Sequence, residues 1–420
     1  MEPMIIHGLE WTTKELFVYP NEFIYWSIQI VMYPYMTGLV AGAFVLSSLY
    51  HVFGQKDLKE LARFSLVFSL ALLPTALMPL LFHLQQPLRG INVLLTPHFT
   101  SAIAAFGIVF STYAAIVLSE IWFVYREYFV TQALTLRGRP GAALAAKRLL
   151  YQALTLGAYD TSALALAQDK KAVKILAAVG IPVACFLHGY AGFIFGSVKA
   201  NALWMSPLMP VIFIMSAVVS GIALCMLTYI AIMEWKRFRP APAKGLGSDS
   251  AQVIGVPEME EVIGKASRYL IGFLVAAISL ELLDLIFRGY TAMKSWDILR
   301  SVLYHKDFVT IFVLQYGVGN LLPFILLILP RLTIRRTVVA LLLILYGVFM
   351  MRWNVVIGGQ AFSLSFAGFM HYHLPIVPHN METYKEGLLG ALTVAGTPFV
   401  LFWLINKIVP SLKVTGKEMP

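Results

Sequence analysis

The sequence predicts an all-α, polytopic membrane protein with about nine transmembrane helices. Of its 420 residues, 59% are hydrophobic and only 13% are charged, whereas soluble domains carry about 25% charged residues. Apolar runs long enough to cross a bilayer, which takes about 20 residues each, recur along most of the chain. This composition is incompatible with a soluble fold, so we expect the lipid bilayer to surround the protein.

Nine segments meet this length criterion, and we number them one to nine. They are residues 23–49, 61–84, 99–124, 174–196, 207–233, 267–288, 308–329, 336–357 and 387–408. Residues 130–170 contain helical patches that we expect to lie along the membrane surface. Residues 239–257 are rich in Pro, Gly and Ser and predict a linker. We therefore divide the chain into residues 1–238 with segments one to five, a cytoplasmic linker of 239–265, and residues 266–420 with segments six to nine.

The net charge of +10 comes from basic residues that concentrate in a few loops. They follow segments one, three, five and seven and recur in the C-terminal tail, which is the pattern of the positive-inside rule. We therefore expect no nucleic-acid partner. The pattern predicts a multi-pass protein of the cytoplasmic (inner) membrane, with the N-terminus outside and the C-terminus in the cytoplasm. The 289–307 loop is less clear, because it mixes acidic with basic residues.

The cysteine and histidine spacings predict that this chain holds no metal centre of its own. Cys185 and Cys225 lie inside apolar runs, and no CxxC or CxxCH motif occurs. We therefore expect no iron–sulfur cluster and no c-type haem in this chain. His371, His373 and His379 follow segment eight, but no cysteine or acid is spaced to complete a metal site with them.

The stretch "ISLELLDLIFRGY" at the end of segment six carries a stripe of charge. Glu281, Asp284 and Arg288 lie three and four residues apart and therefore share one helix face. A charge at mid-bilayer costs about 2.5–3.5 kcal/mol on insertion scales. One interpretation is a structural ion pair between Asp284 and Arg288. The other is a proton-exchange site, because one arginine neutralises one carboxylate and a second carboxylate in a low dielectric tends to hold a proton.

Further polar residues lie at or near the same, outer ends of the segments. They are His83 and Arg89 at the end of segment two, His98 at the start of segment three, His188 in segment four, Gln315 in segment seven, and Arg352, Asn354 and Gln360 at the end of segment eight. A lone histidine here is often only a hydrogen-bonded packing or boundary residue. In segment one, Gly38 and Gly42 form a small-xxx-small pair that permits close helix contact.

Four stretches carry a family resemblance in their order along the chain. They are "YWSIQIVMYPYMTGLVAGAFVLSSL", "LFHLQQPLRGINVLLTPHFTSAI", "WMSPLMPVIFIMSAVVSGIAL" and "RWNVVIGGQ". Together they resemble the NrfD-like, or polysulfide reductase membrane subunit, family. The last stretch and the nine-helix length resemble the longer branch most. That branch includes DsrP of the dissimilatory sulfite-reduction complex, the membrane subunit of hydrogenase-2 and the large membrane subunits of alternative complex III.

The resemblance implies an architecture, a cofactor and partners. Helices one to four and five to eight would form two four-helix bundles, with helix nine alongside. A menaquinone or ubiquinone would bind near the outer face. A periplasmic ferredoxin-like subunit with four [4Fe–4S] clusters would dock over that site, together with a multihaem cytochrome c and further membrane or cytoplasmic subunits. Family members of this length often have ten helices, so this chain departs by one.

These observations predict a quinone-reactive membrane subunit of a multi-subunit respiratory oxidoreductase in sulfur metabolism, which is not catalytic alone. We assign proton exchange to Glu281, Asp284 and His83. Quinone binding is assigned to Arg89, His98, His188, Gln315, Arg352, Asn354 and Gln360. Two alternatives remain open at this point. One is a transporter or proton channel, and the other is a b-haem membrane anchor that would use His83 and His188.

Overall fold

The computed structural model describes residues 4–6, 9–11, 24–101, 104–138, 140–199, 201, 203–238, 256–290, 296–362 and 369–412. Within these ranges, nine helices are long and apolar enough to span a membrane. They are α1 (Ile28–His51), α2 (Lys56–His83), α3 (Ala104–Thr135), α4 (Ala163–Gly196), α5 (Met209–Arg237), α6 (Glu258–Tyr290), α7 (Val309–Ile328), α8 (Ile334–Gly358) and α9 (Leu388–Ile405). Each predicted segment corresponds to one helix, so the predicted all-α, nine-helix membrane protein is confirmed.

Shorter elements connect the spanning helices. The described residues before α1 include an antiparallel pair of three-residue strands, Met4–Ile6 and Leu9–Trp11. The connections contain a 3₁₀ turn and short helices at Pro87–Ile91, Asn92–Leu95, Ala142–Leu154, Trp296–Ser301, Val302–Lys306 and Met381–Glu386. These pieces lie at the ends of the spanning helices, and some add to the core, as the fully buried Tyr151 of Ala142–Leu154 does.

Two boundaries differ from the predicted ones. α4 begins at Ala163 rather than near 174, because Ser162 caps its first turn by accepting a hydrogen bond from the Ala165 amide at 3.3 Å. The predicted surface segment is therefore shorter. The predicted linker is shorter at its C-terminal end as well, since a helix begins at Val256. Buried residues at helical spacing fix this extension, namely Met259, Ile263, Ala266 and Leu270. Residues 239–255 lie outside the described part of the chain.

We describe the spanning helices as two groups, the first bundle (α1–α4) and the second bundle (α5–α8), with α9 outside them. In the first group α1 packs on α2 and α4, and α3 packs on α2 and α4. In the second group α5 packs on α6 and α8, and α7 packs on α8, while α9 lies against α2. The groups meet where α1 and α4 both pack along α5. Accordingly, 83% of the apolar window of α1 is buried inside the protein, against 22% for the peripheral α6.

Glycines allow the closest helix crossings. Gly42 of α1 faces Gly221 of α5, and a Cβ atom on either would overlap the backbone of the other helix. The predicted close contact at Gly42 is thereby confirmed. Gly319 of α7 and Gly347 of α8 make a second crossing of the same kind. Backbones that approach this closely gain van der Waals contact, which is a main source of helix association in lipid.

The helices alternate in direction, which gives the protein two faces. We call the face at which α1 begins and α2 ends the N-side, and the face at which α1 ends and α2 begins the C-side. On the N-side the Ile24 amide donates to the His371 carbonyl at 2.9 Å, and Ser27 Oγ lies 3.1 Å from His83 Nδ1. The sequence predicts the N-terminus outside and the C-terminus in the cytoplasm. Both terminal segments include residues outside the described part of the chain, namely 12–23 and 413–420.

Candidate functional site

A cavity opens at the N-side of the second bundle, with about 640 Å³ of empty space, part of it open to the surroundings. The approach to α5, the end of α6, the start of α7 and the end of α8 form its walls. It is lined by Leu203, Met209, Ile212, Glu281, Asp284, Leu285, Arg288, Leu299, Leu303, Ile311, Gln315, Tyr316, Met351, Asn354 and Val355. Ligand sites typically combine apolar walls with a few precisely placed polar groups. This cavity has that character.

Two walls of the cavity are wound more loosely than an α-helix. α7 is π-helical over Val309–Leu321, and α8 ends in a π-helical turn at Asn354–Gly358. A π-helical turn changes the direction in which the following side chains point, and such turns are frequent at functional sites. Gln315 and Asn354 both lie on these turns. The close glycine crossing of α7 and α8 at Gly319 lies one turn beyond Gln315 and holds the two walls together.

A relay of amide groups meets the Glu281 carboxylate in the cavity. Gln315 Nε2 donates to Glu281 Oε2 at 2.9 Å. Asn354 Nδ2 in turn donates to Gln315 Oε1 at 2.8 Å and to the Thr310 carbonyl at 3.2 Å. These hydrogen bonds fix the orientation of both amides. Glu281 therefore faces a neutral donor, and this acid can hold or release a proton without breaking an ion pair.

Asp284 forms the ion pair of the stripe. Arg288 Nε donates to Asp284 Oδ2 at 2.9 Å, and both side chains are nearly buried. Ser206 Oγ donates to the other carboxylate oxygen of Asp284, and Arg288 also donates to the Leu203 carbonyl at 3.2 Å. The predicted pairing of Asp284 with Arg288 is confirmed. The two interpretations of the stripe therefore apply to different residues. Asp284 belongs to a structural ion pair, and Glu281 remains the candidate for proton exchange.

Arg352 lies behind the cavity, between the two bundles, and only 1% of it is exposed. Its guanidinium donates to Ser216 Oγ at 2.7 Å and to the Phe213 carbonyl at 3.3 Å, and it stacks on the Phe213 ring at 3.8 Å. It also lies 3.0 Å from His188 Nε2. Because a guanidinium only donates, Nε2 accepts, and the proton of the imidazole is on Nδ1, 3.4 Å from Thr37 Oγ1.

His83 belongs to a separate cluster at the N-side of the first bundle. His83 Nδ1 lies 3.1 Å from Ser27 Oγ and 3.4 Å from Glu386 Oε1. Nearby, the fully buried Gln29 donates through Nε2 to the Lys385 carbonyl at 2.5 Å. Its Oε1 has no hydrogen-bond partner among the described residues. None of these side chains lines the cavity of the second bundle.

The predicted site residues therefore do not form one cluster. Glu281, Asp284, Gln315 and Asn354 line the cavity, and Arg352 with His188 supports it from behind. His83 lies in the other N-side cluster. Three predicted residues belong to neither cluster. Arg89 and His98 are exposed between α2 and α3, where His98 Nδ1 lies 2.8 Å from Thr100 Oγ1. Gln360 is half-buried and does not line the cavity.

Several polar residues around the site were missed from the sequence. Ser206 stands in the quoted "WMSPLMP" stretch but has no feature that marks it as the partner of an acid on another helix. Asp307 is one of several mixed charges in its loop. Its carboxyl lies beside Gly358, and burial raises its pKa, an effect that the neighbouring Lys306 partly opposes. Its Oδ2 has no hydrogen-bond partner in the described part of the chain.

A fully buried acid on the C-side was also missed. Glu120 lies in the apolar run of α3, and its Oε1 is 3.3 Å from His51 Nδ1. The sequence contained a signal here, because an acid inside an apolar segment is expensive to insert. This pair lies at the opposite end of the first bundle from His83.

Comparison with known proteins places this architecture in a family. The family model "Polysulphide reductase, NrfD" matches residues 19–364. A selenate reductase subunit of Mesobacillus selenatarsenatis is 31% identical over 252 residues, which is 59% of this chain and 57% of that protein. A putative dimethyl sulfoxide reductase membrane subunit of Halobacterium salinarum is 26% identical over 315 residues, 75% of this chain and 63% of that protein.

The two relatives extend beyond the matched regions, since the chain covers less than two thirds of the length of each. The family match, in contrast, runs from before α1 to the end of α8. It includes every residue that lines the cavity. The chain is therefore a multi-pass membrane protein that belongs to the NrfD polysulphide reductase family.

Proposed function

We propose that the chain is the quinone-reactive membrane subunit of a multi-subunit respiratory reductase. The observation that carries this proposal is the N-side cavity, in which a carboxylate and an amide relay face apolar walls. The names of the two relatives, a selenate reductase subunit and a putative dimethyl sulfoxide reductase membrane subunit, support the assembly into a reductase complex. The family description supports our proposal of a role in sulfur metabolism, and the DsrP branch stays a prediction.

The donor set of the cavity fits a quinone, either menaquinone or ubiquinone. A quinone head group is a flat ring with oxygens at opposite edges, so it needs hydrogen-bonding groups beside apolar surface. Gln315, whose Nε2 keeps a second hydrogen beside the one given to Glu281, and the protonated form of Glu281 can donate to the ring oxygens. Residues such as Leu285 and Val355 provide apolar surface. A quinol supplies two electrons and two protons on oxidation.

We assign distinct roles to the residues of the cavity. Glu281 exchanges a proton at Oε2, the oxygen that Gln315 orients. Asn354 holds Gln315 in the orientation that donates to Glu281. Asp284 accepts hydrogen bonds from Arg288 and Ser206 and so joins the end of α6 to the approach to α5 beside the cavity. Arg352 positions the end of α8, which carries Asn354, through its contacts with α4 and α5.

The electrons are proposed to pass to a partner at the N-side. We propose a periplasmic ferredoxin-like subunit with four [4Fe–4S] clusters, with a multihaem cytochrome c and further subunits in the same complex. The b-haem alternative is less well supported, because the ring of His188 lies between Arg352 and Thr37 and the ring of His83 lies between Ser27 and Glu386. The two histidines thus lie in different clusters, with other side chains beside each ring.

Labelling with a photoreactive azidoquinone tests the proposed site. The assembled complex is illuminated with the probe, with and without excess quinone, and the labelled peptides are identified by mass spectrometry. We expect quinone-protected label on peptides that contain Leu285, Tyr316 or Val355. Label confined to peptides with His83 or Glu386 would move the quinone to the first bundle and overturn the assignment. Label that excess quinone does not reduce would contradict quinone binding itself.

We propose that the N-side is the periplasmic face, as the basic loops indicate. Single cysteines at Gln55 and Thr96, which lie in loops on opposite sides, test this orientation. A membrane-impermeant maleimide is added to spheroplasts, whose cytoplasmic membrane is intact. It should label T96C, whereas Q55C should react only after the membrane is permeabilised. The unsubstituted chain, with Cys185 and Cys225 inside spanning helices, is the control. The reverse labelling would invert the proposed orientation.

A further inference from the structure

A second, larger cavity opens at the C-side of the first bundle, at the opposite end from the candidate site. It contains about 1260 Å³ of empty space, part of it open to the surroundings. We call it the C-side cavity. It is lined by Tyr50, His51, Gly54, Lys56, Lys59, Arg63, Phe123, Val124, Glu127, Leu166, Asp169, Lys170 and Val173. The end of α1 and the start of α2 form one wall, and α3 and α4 form the other.

The lining of the C-side cavity is strongly basic. Four lysine and arginine side chains face two carboxylates. One of these carboxylates, Asp169, is already bound by Arg126, whose Nε and Nη2 donate to Asp169 Oδ2 at 2.9 and 2.7 Å. Glu127 is the second acid of this lining, and its Oε2 is buried without a hydrogen-bond partner in the described residues. The net positive charge indicates an anionic ligand.

The cations come from both walls and at different depths. Lys56 and Lys170 are exposed at the mouth, on α2 and α4, while Arg63 lies deeper and is only 8% exposed. Long basic side chains can reach the membrane interface while their stems cover apolar surface. A single anionic group at the mouth would therefore meet positive charge from two helices, a geometry that an unstructured basic loop does not provide.

Apolar surface next to the cations restricts the kind of anion. Phe123, Leu166 and Val173 line the same cavity. On the helices that form this wall, Leu118 of α3 and Ile175 of α4 are each 54% exposed. Such apolar side chains on a spanning helix face lipid. A ligand that carries its charge at the interface and an acyl chain towards the bilayer matches both parts of the lining, and basic pockets between spanning helices are known to take anionic lipid head groups.

We propose that the C-side cavity binds the phosphate of an anionic phospholipid. The phosphate lies between the Lys56 and Lys170 walls, and the acyl chains follow the exposed apolar faces of α3 and α4. The bound lipid would bridge the start of α2 to the start of α4 and so stabilise the C-side end of the first bundle. This site is independent of the quinone cavity, which lies at the other face.

Lys170 and Lys171 provide a matched pair of variants. Both are exposed and adjacent on α4, but only Lys170 lines the cavity. Lys170→Gln and Lys171→Gln therefore remove the same charge at the same depth of the same helix. Each basic side chain near an anionic surface contributes about 1 kcal/mol, so we expect Lys170→Gln to weaken binding of phosphatidylglycerol about fivefold. Lys171→Gln should change it by less than about twofold, because this side chain does not line the cavity.

Native mass spectrometry of the detergent-solubilised complex measures this binding. The protein is titrated with phosphatidylglycerol, with zwitterionic phosphatidylcholine and with inorganic phosphate. We expect saturable binding of phosphatidylglycerol, weaker binding of phosphatidylcholine, and no displacement by phosphate at equal concentration. Melting curves without added lipid identify variants that fail to fold. If Lys170→Gln is one of them, Lys56→Gln takes its place, with the same expected loss.

Three results would overturn the proposal. If Lys170→Gln and Lys171→Gln lose the same amount of phosphatidylglycerol affinity, the binding reflects general attraction to a basic surface and not a site in the cavity. Equal affinity for phosphatidylcholine and phosphatidylglycerol would show that the lysine and arginine side chains do not select the ligand. Displacement of the lipid by inorganic phosphate at equal concentration would identify a site for soluble phosphates instead.

Discussion

Replacing Glu281 with Gln should slow quinone-linked electron transfer by about 10²–10⁴-fold, the usual contribution of a positioned acid or base. Glutamine keeps the size of the side chain and can still hydrogen-bond to Gln315, but it cannot take up or release a proton. The complex should therefore assemble and bind quinone normally. Turnover of the purified complex with a quinol and an artificial acceptor, measured across pH, gives the rate, and quinone labelling gives the binding.

Two control variants separate this prediction from structural effects. Glu386→Gln removes the acid of the other N-side cluster, beside His83, and should leave turnover within a few-fold of the original. Asp284→Asn takes the carboxylate partner away from Arg288, and breaking a buried pair costs about 3–5 kcal/mol, so we expect poorer assembly. If Glu281→Gln turns over at the original rate across pH while Glu386→Gln does not, the proton route lies at His83.

Replacing Arg352 with Leu should lower both assembly and turnover. The substitution leaves His188 Nε2 without its buried donor, whereas Ser216 Oγ still donates to the Phe213 carbonyl at 3.0 Å. Each buried polar group left unsatisfied costs about 1–3 kcal/mol, and the stacked guanidinium adds about 2 kcal/mol when desolvated. Because the end of α8 then loses its anchor on α4 and α5, Asn354 should no longer hold Gln315 in place.

Thermal melting of the solubilised complex and its quinol turnover measure the two effects of Arg352→Leu. Arg352→Lys should recover part of the stability, since an ammonium keeps the charge but lacks the flat face that stacks on Phe213. Arg335→Gln, an exposed arginine near the other end of α8, is the matched control and should change neither quantity. Unchanged melting and turnover in Arg352→Leu would show that this residue does not shape the site.

The spanning helices could be predicted because they depend on a local property. A run of about 20 apolar residues predicts a membrane helix wherever its neighbours pack, and each predicted segment has its helix. Helix ends were less predictable. The early start of α4 depends on the Ser162 cap, and the early start of α6 depends on buried contacts at Met259 and Ile263 with other helices.

Contacts within one helix were predictable from spacing, whereas contacts between helices were not. Asp284 and Arg288 pair as their i, i+4 separation suggests. The hydrogen bond from Gln315 to Glu281 joins two helices, and the π-helical turns of α7 alter the direction in which Gln315 points. No repeat in the sequence shows where such a turn occurs.

By itself, the sequence determined the membrane class, the number and order of the helices, the polar residues that concentrate at one face, and the family. Hydropathy and charge place a residue along the membrane normal, so they give depth. They do not give the position around the bundle axis, which depends on which helices pack together. Only the tertiary structure decided that Glu281 shares a cavity with Gln315 and Asn354, while His83, predicted for the same face, belongs to a different bundle.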